Sequence, residues 1–246
     1  MQLSTQALVI KVTDIRDNDK LLTLLTKDLG VIKAFVSGAK KIGSKNYAGT
    51  GLLCYSDFLL NKGADAYRVK ESSLINSFFK IGCDINLLSL QQYFCEVAAV
   101  LSPQDMNAEE YLRLTLNCLY YLNNNKINEH IIKSIYELRI LCIAGYMPDL
   151  VGCSNCGKFD DDIMFIDLLN GVMYCSNCKH LCNNTVALNK TVLSSLRHIV
   201  YSDFDRLFSF SIPDKAAKEL TGITEKYLLQ QTEHKFKTLD FYNSIL

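Results

Sequence analysis

Hydrophobic and polar residues alternate along much of the first 80 positions of the chain. The stretches LVIKV at residues 8–12 and VIKAFV at residues 31–36 have the period of two that is typical of a half-buried β-strand, and polar or glycine-containing breaks separate such stretches. The pattern predicts strands at residues 7–13, 21–26, 31–37, 52–61 and 66–70. A succession of short strands of this kind predicts a small β-barrel.

The hydrophobic period changes to that of α-helices from residue 84 onward. Helices are predicted at residues 87–101, 107–122, 128–142, 186–201 and 213–231. A basic and aromatic tail follows at residues 234–241. Because helices are predicted on both sides of residues 151–183, that cysteine-rich segment is expected to be inserted into a helical domain.

Two Cys-x-x-Cys pairs stand out in the inserted segment. Eighteen residues separate the pairs, and this spacing is typical of a four-thiolate zinc module. The four predicted ligands are Cys153, Cys156, Cys175 and Cys178. Four thiolates leave no coordination position for water, so a zinc ion bound here is expected to be structural.

The residues between the pairs predict a β-hairpin. Apolar runs at 163–166 and 172–174 are joined across Asn170-Gly171, a dipeptide that favours a tight turn, and the hairpin would bring Cys156 close to Cys175. Gly157 supplies the positive φ that the first cysteine loop needs. The acidic run at 160–162 is interpreted as a solvated edge of the hairpin, since three adjacent carboxylates cannot all face one ion.

Other interpretations of the cysteines remain open. They are four unrelated buried thiols, two disulfides, a thioredoxin-like redox pair, or iron in place of zinc. Disulfides need an oxidising compartment, and residues 1–11 have neither the basic start nor the apolar core of a signal peptide, so a cytoplasmic protein is expected. Cys182 and His180 could replace a lost ligand. The simpler interpretation is that Cys182 is a free thiol and His180 is a surface imidazole.

Charge is unevenly distributed along the chain. The 246 residues include 26 basic and 26 acidic ones. The hydrophobic content of 49% is enough to form the core of one large or two smaller domains, and the apolar stretches are too short to span a membrane. The first 80 residues carry twelve basic and seven acidic side chains, a net charge of +5, and the remainder carries −5. This asymmetry suggests that the first part meets a polyanion. The glycine-containing basic segment 38–47 suits wrapping a phosphodiester chain, although a plain solvated loop is the alternative.

Three separated stretches and the tail carry a family resemblance. The stretches are DKLLTLLT at 19–26 with Gly30, SGAKK at 37–41, and YELRIL at 136–141 continuing to GYMPDL at 145–150, and the tail is FKTLDF at 236–241. Together they resemble the RecO family of bacterial recombination mediators. The resemblance implies an α+β multidomain protein with an N-terminal five-stranded OB-fold barrel and an α-helical domain that contains an inserted four-cysteine zinc finger. The predicted segments are the OB-fold domain at 1–80, the two helical parts at 81–150 and 184–246, and the zinc finger at 151–183.

The activity implied by the resemblance is binding of single- and double-stranded DNA, annealing of complementary strands, and assistance in loading a recombinase onto DNA coated by single-strand-binding protein. On this interpretation the phosphate-binding residues are Arg16, Lys20, Lys33, Lys40, Lys41, Lys45 and Arg68. Tyr47 and Tyr67 are candidates for stacking on bases. The implied partners are RecR and the acidic C-terminal tail of single-strand-binding protein, for which Arg139, Lys235 and Lys237 are candidates by charge alone. The expected location is the bacterial cytoplasm, in association with the nucleoid.

We expect that the protein is not an enzyme. The sequence contains no P-loop, no nucleophile elbow and no carboxylate cluster arranged for two metal ions. Annealing needs no covalent chemistry, since neutralising the phosphates of two strands lets base pairing proceed. The alternatives are a zinc-dependent nuclease or RNA-modifying enzyme that uses an OB-like barrel, and a zinc-ribbon adaptor that binds only protein.

Overall fold

A computed structural model describes residues 2–15, 17–41, 43–63, 66–80, 82 and 84–246. The chain forms two compact units. The first consists of Met1–Asn123 with Phe236–Leu246, and the second of Asn124–Lys235. Among the described residues, no helix is long and apolar enough to cross a membrane.

Strands of the first unit form a closed barrel. They are β1 (Gln2–Asp14), β2 (Lys20–Thr26), β3 (Gly30–Val36), β4 (Cys54–Asn61) and β5 (Tyr67–Ser77). Their order around the barrel is β1-β2-β3-β5-β4, with β4 pairing back to β1, and β3 and β5 run parallel while the other neighbours are antiparallel. Alternate residues point inward and form the core, among them Val9, Leu22, Leu24, Ile32, Ala34 and Phe58. The prediction of five N-terminal strands is confirmed.

Three strands differ from their predicted bounds by two residues or more. β1 begins at Gln2 instead of residue 7, because it pairs with β4 from its first residue. β5 continues to Ser77 instead of ending at residue 70, because it pairs with β4 along most of its length even though the residues after Ser72 are exposed. β4 begins at Cys54 and not at residue 52, because buried Leu53 has a left-handed φ of 62° and its N–H donates to the carbonyl of Val9. Neither the extension of β5 nor the later start of β4 leaves an alternating pattern that sequence analysis can detect.

Six α-helices complete the two units. They are α1 (Ile85–Leu101), α2 (Glu109–Asn124), α3 (Glu129–Ile143), α4 (Lys190–Tyr201), α5 (Asp214–Thr232) and α6 (Lys237–Ile245). The side chains of Asp84 and Asn128 cap α1 and α3 by accepting from backbone N–H groups of the first turn. The segment between α1 and α2 packs on the β2–β3 turn, where the N–H of Val31 donates to the Pro103 carbonyl. A side chain at Gly30 would lie 1.9 Å from the same carbonyl oxygen, which explains why glycine occupies this position.

Most of the basic and aromatic tail lies in helix α6. In α6, Leu239 and Tyr242 are buried, and the ring of Phe236 just before the helix meets the ring of Tyr93 edge-on at 5.9 Å. Glu96 of α1 accepts hydrogen bonds from the N-terminal amides of α6. The C-terminus is therefore part of the first unit.

The second unit contains α3, α4, α5 and a three-stranded sheet of β6 (Met164–Asp167), β7 (Val172–Cys175) and β8 (Thr185–Leu188), in the order β7-β6-β8. The prediction of helix at residues 186–188 is wrong, since these residues pair with β6. Helix α4 begins only after Asn189, whose side chain caps it by accepting from the N–H of Val192. Pairing with β6 thus outweighs the helical spacing of the apolar residues.

A buried ionic network joins α3 to α5. Lys133 is 1% exposed, and its Nζ lies 2.7 Å from Glu137 Oε1 and 2.7 Å from Glu225 Oε2. The Thr224 hydroxyl donates to the other oxygen of Glu137 at 2.7 Å. Burial alone would lower the pKa of Lys133, but the two carboxylates outweigh burial and raise it. The amine is therefore held as a cation inside the unit.

Candidate metal centre and nucleic-acid interface

The four predicted ligands come together at one point of the second unit. Their Sγ atoms all lie within 4.8 Å of one another, and those of Cys156 and Cys175 are 3.7 Å apart. Tetrahedral zinc with Zn–S bonds of about 2.3 Å holds its sulfur ligands about 3.8 Å apart. A disulfide would need about 2.05 Å, and all four cysteines are free thiols. The arrangement fits a closed four-thiolate site and excludes two disulfides in this structure.

Backbone geometry produces the two cysteine loops. The N–H of Gly157 donates to the Cys153 carbonyl at 2.8 Å, with Gly157 at a φ of 72° as predicted. In the second loop, the N–H of Cys178 donates to the Cys175 carbonyl at 3.0 Å. The hairpin between them turns through a four-residue loop closed by Gly171, at a φ of 65°, instead of the tight turn expected at Asn170-Gly171.

The thiols of the cluster differ in proton affinity. Burial raises the pKa of Cys153, but the backbone N–H groups of Cys156, Cys175 and Asn155 outweigh burial and lower it to about 6. The side-chain amide of Asn155 lowers the pKa of Cys178, but burial and the neighbouring thiols raise it to about 12. Ionised sulfurs this close repel one another, so full deprotonation of the cluster requires a cation among them.

Asp160 and Asp162 are exposed, as expected for a solvated edge, but Asp161 between them has structural partners. Its side chain is 16% exposed, binds Lys158 Nζ at 3.1 Å, and accepts from the N–H of Ser176 in the second cysteine loop at 3.1 Å. The hydrogen bond from Lys158, together with those from the backbone N–H groups of Ser176 and Asp162, lowers the pKa of Asp161 to about 2. The carboxylate thereby links the segments that carry the two cysteine pairs.

The two nearby ligand alternatives have other partners. The thiol of Cys182 donates to Asp167 Oδ2 at 3.2 Å, and Nδ1 of exposed His180 lies 2.9 Å from the Asn177 carbonyl. Neither residue belongs to the cluster of four cysteines.

Helix α4 fastens the cysteine module to the helical part of the second unit. The guanidinium of Arg197 donates to the carbonyls of Leu150, Val151 and Phe159 at 2.6–3.1 Å and lies 4.1 Å from the Phe159 ring centre. The Tyr201 hydroxyl accepts from the N–H of Leu150 at 2.8 Å. Sequence analysis missed these anchors, because no local pattern links residue 197 to residues 150–159.

Some predicted phosphate-binding residues gather at one end of the barrel. Lys20 is the first residue of β2 and lies opposite Asp14, the last residue of β1, in the strand register. Asp14 forms its ion pair with Lys40, whose Nζ lies 2.9 Å from Asp14 Oδ2. Asp19 fixes this end by accepting from the N–H of Gly38 at 2.9 Å, which joins the β1–β2 turn to the loop after β3. Exposed Lys41 lies in the same loop. Arg16 lies outside the described residues.

Lys33 and Arg68 lie on the outer face of the barrel instead. Both are exposed and follow the outward alternation of β3 and β5. Lys45 pairs with Glu71 at 3.7 Å. Of the two predicted stacking residues, Tyr47 is 59% exposed, whereas Tyr67 packs against the barrel core.

The candidate partner-binding residues occupy different settings. Arg139 donates to the carbonyls of Ile199 and Val200 at 3.2 and 2.8 Å, so its charge faces the C-terminal end of α4. Lys235 and Lys237 are exposed.

Comparison with known proteins covers nearly the whole chain. Residues 1–78 match the family described as Recombination protein O N terminal, and residues 83–240 match Recombination protein O C terminal. The chain is 30% identical to a protein named DNA repair protein RecO from Acetivibrio thermocellus, over 99% of this chain and 97% of that one. It is 28% identical to the protein of that name from Caldicellulosiruptor bescii, over 99% and 98%, and 26% identical to that from Clostridium novyi, over 97% and 93%. The chain therefore belongs to the recombination protein O, or RecO, family of DNA repair proteins.

Proposed function

We propose that this protein is a non-enzymatic recombination mediator. It binds single- and double-stranded DNA through an OB-fold barrel, anneals complementary strands, and assists recombinase loading onto DNA coated by single-strand-binding protein. The proposal rests on one observation above all: a five-stranded barrel of this family carries cations at one end and on its outer face. OB folds bind nucleic acids with the face of strands 2 and 3 and with the loops that follow strands 1 and 4. Lys33 lies on β3, and the loop that carries Lys40 and Lys41 is joined to the β1–β2 turn by the hydrogen bond between Gly38 and Asp19.

The ion pairs at the barrel end are compatible with DNA binding. Asp14 is 61% exposed and Lys40 is 34% exposed, and solvent-exposed pairs of this kind contribute only about 0.2–1 kcal/mol. A phosphate competes easily for a lysine held so weakly. Contacts of this type neutralise backbone charge and carry no sequence information.

DNA binding is tested by salt titration of a labelled single strand. If about five phosphates are neutralised, raising salt from about 50 to 200 mM weakens binding roughly a hundredfold. Lys40→Glu together with Lys41→Glu should reduce both affinity and salt dependence, while the matched pair Lys215→Glu and Lys218→Glu on α5 should not. An unchanged salt dependence in the first variant would place the DNA elsewhere.

Annealing is tested with complementary strands in buffer that contains neither ATP nor magnesium. The protein should accelerate pairing, and the acceleration should fall with rising salt in parallel with binding. A denaturing gel of the same DNA after incubation with magnesium or manganese then tests the nuclease alternative. Shortened strands on that gel would overturn the mediator proposal.

For the metal centre, we propose one structural zinc ion held by the four thiolates. Metal analysis should find one equivalent per chain, and Cys175→Ser should lose it. Cys182→Ser is the matched control, because the Cys182 thiol lies outside the cluster and donates a hydrogen bond to Asp167. Metal content that does not change in Cys175→Ser would reject the ligand set.

The proposed partners are RecR and the acidic tail of single-strand-binding protein. For the tail, exposed Lys235 and Lys237 and the guanidinium of Arg139 remain the candidate contacts on grounds of charge. A labelled acidic tail peptide should bind the protein, and Lys235→Glu with Lys237→Glu should weaken that binding. Equal affinity in the variant would exclude these two lysines.

A further inference from the structure

The outer face of the barrel carries two rows of side chains that cross neighbouring strands. In the first row, Lys11 of β1 pairs with Thr23 of β2, which pairs with Lys33 of β3. In the second row, the paired residues are Thr13 of β1, Leu21 of β2, Phe35 of β3 and Arg68 of β5. We call these seven residues the outer platform.

Strand alternation directs these side chains outward. The neighbours Val12, Leu22, Ala34 and Val69 all belong to the barrel core or pack against it. Residues of opposite parity therefore point away from the core. Phe35 is half-buried at the centre of the platform and is not among the side chains that pack on the core.

The composition of the platform suits a single nucleic-acid strand. Lys11, Lys33 and Arg68 are exposed cations that surround the apolar side chains of Leu21 and Phe35, and neither row contains an acidic residue. Adjacent strands lie about 4.8 Å apart and alternate residues of one strand about 6.8 Å apart, so the cations and the aromatic ring lie within reach of one or two nucleotides.

The platform opens into a groove. Val31 and Lys33 line its floor, with Lys62 and Gly63 on one wall and Asp105 of the α1–α2 segment on the other. Its volume is about 440 Å³. Among the described residues that line the groove, Lys33 and Lys62 are cations and Asp105 is the acid, so a phosphodiester chain can continue from the platform along the two lysines.

We propose that the outer platform selects single-stranded over duplex DNA because Phe35 stacks on an unpaired base while Lys11, Lys33 and Arg68 hold the adjacent phosphates. The inference rests on the DNA binding proposed above and assigns roles to Phe35 and Lys11. Phosphate contacts alone do not distinguish one strand from two. A duplex keeps its base faces stacked inside the helix, whereas every base of a single strand can offer a face to an aromatic ring.

The first test compares Phe35→Ala with the original protein, using the full zinc-loaded chain. Fluorescence anisotropy is measured with labelled oligo-dT, longer than the roughly 4–16 nucleotides that an OB fold covers, and with a duplex of equal length. Loss of one stacked base should weaken single-strand binding about fivefold to a hundredfold and duplex binding by less than about twofold. Phe35→Leu keeps an apolar side chain without a stacking face and should lose most of the same affinity. Lys11→Gln should weaken binding to both DNAs.

A second test reports stacking directly and does not depend on affinity. The chain contains no tryptophan, so Phe35→Trp introduces a single indole. Its emission should be quenched by oligo-dT and much less by the duplex. Phe79→Trp, at a 44% exposed position of the first unit outside the platform, is the matched control and should respond to neither.

The outcomes separate this inference from the proposed function. Selective loss of single-strand affinity together with quenching at position 35 supports the platform. Equal effects on both DNAs, or an indole that does not respond to the single strand, would overturn the stacking role while DNA binding by the original protein stands. Failure of the original protein to bind either DNA would refute both.

Discussion

Replacing Lys133 by methionine should severely destabilise the second unit. Lys133 is 1% exposed, and its amine contacts both Glu137 and Glu225 at 2.7 Å. The substitution leaves the carboxylate of Glu137, which is 0% exposed, without the charge that compensates it, although Thr224 still donates to it. Breaking a buried ion pair by removing one partner costs about 3–5 kcal/mol. In a unit of this size the melting temperature should fall by roughly 12–20 °C.

Chemical and thermal unfolding, followed by circular dichroism, measure this loss. The double variant Lys133→Met with Glu137→Gln removes the orphaned charge and should recover most of the stability, while Lys226→Met at an exposed position of α5 should change it by less than about 0.5 kcal/mol. A cost below about 1 kcal/mol for Lys133→Met, or no recovery in the double variant, would refute the assignment of a buried compensated charge.

The pH dependence of the original protein gives an independent check. The folded pKa of Lys133 is raised above the unfolded value of about 10.4, so the stabilisation is fully present below that pH and is lost as pH rises through the folded pKa. The contribution of the Lys133 charge to the stability of the original protein should therefore be constant near neutral pH and be lost only in strong alkali.

Other substitutions test the two functional regions and the C-terminal helix. Asp14→Asn frees Lys40 and should tighten DNA binding up to about fivefold in anisotropy measurements, less at high salt. Asp161→Ala removes the contact with the N–H of Ser176 and should speed zinc release to a chelator with a colorimetric indicator, although no ligand is changed. Deleting residues 236–246 removes the buried side chains of α6 and should lower the melting temperature of the first unit in calorimetry, whereas metal content should not change.

Local patterns predicted the parts of the molecule that local chemistry determines. The spacing of the four cysteines identified the cluster, because a Cys-x-x-Cys pair with a permissive Gly157 forms its loop from neighbouring residues. The barrel strands were found because each has one face in the core. β5 was predicted too short for the opposite reason: beyond Ser72 its residues are exposed on both faces, and only pairing with β4 keeps them extended.

Residues whose roles depend on distant partners were missed or misread. The sequence shows Asp161 as one of three adjacent acids, and its contact with Ser176 depends on the fold. Arg197 clamps carbonyls 38–47 positions away in sequence. Phe35 was one residue of an alternating strand, and its place between Leu21 and Arg68 depends on a register that periodicity does not reveal.

Strand parity gives the barrel two distinct basic surfaces, which bears on the annealing of two strands proposed above. Lys20 has the same parity as Leu22, whose side chain lies in the barrel core. Because Lys20 is the first residue of β2, its side chain lies at the end of the barrel where Lys40 also lies. Lys33 and Arg68 have the opposite parity and belong to the outer face. Repulsion between phosphates opposes annealing, and a protein lowers this repulsion most when it neutralises both strands at once. In the annealing proposed above, a barrel with cations on two adjoining surfaces does so by holding the bases of one strand on the outer face and the backbone of its complement at the barrel end.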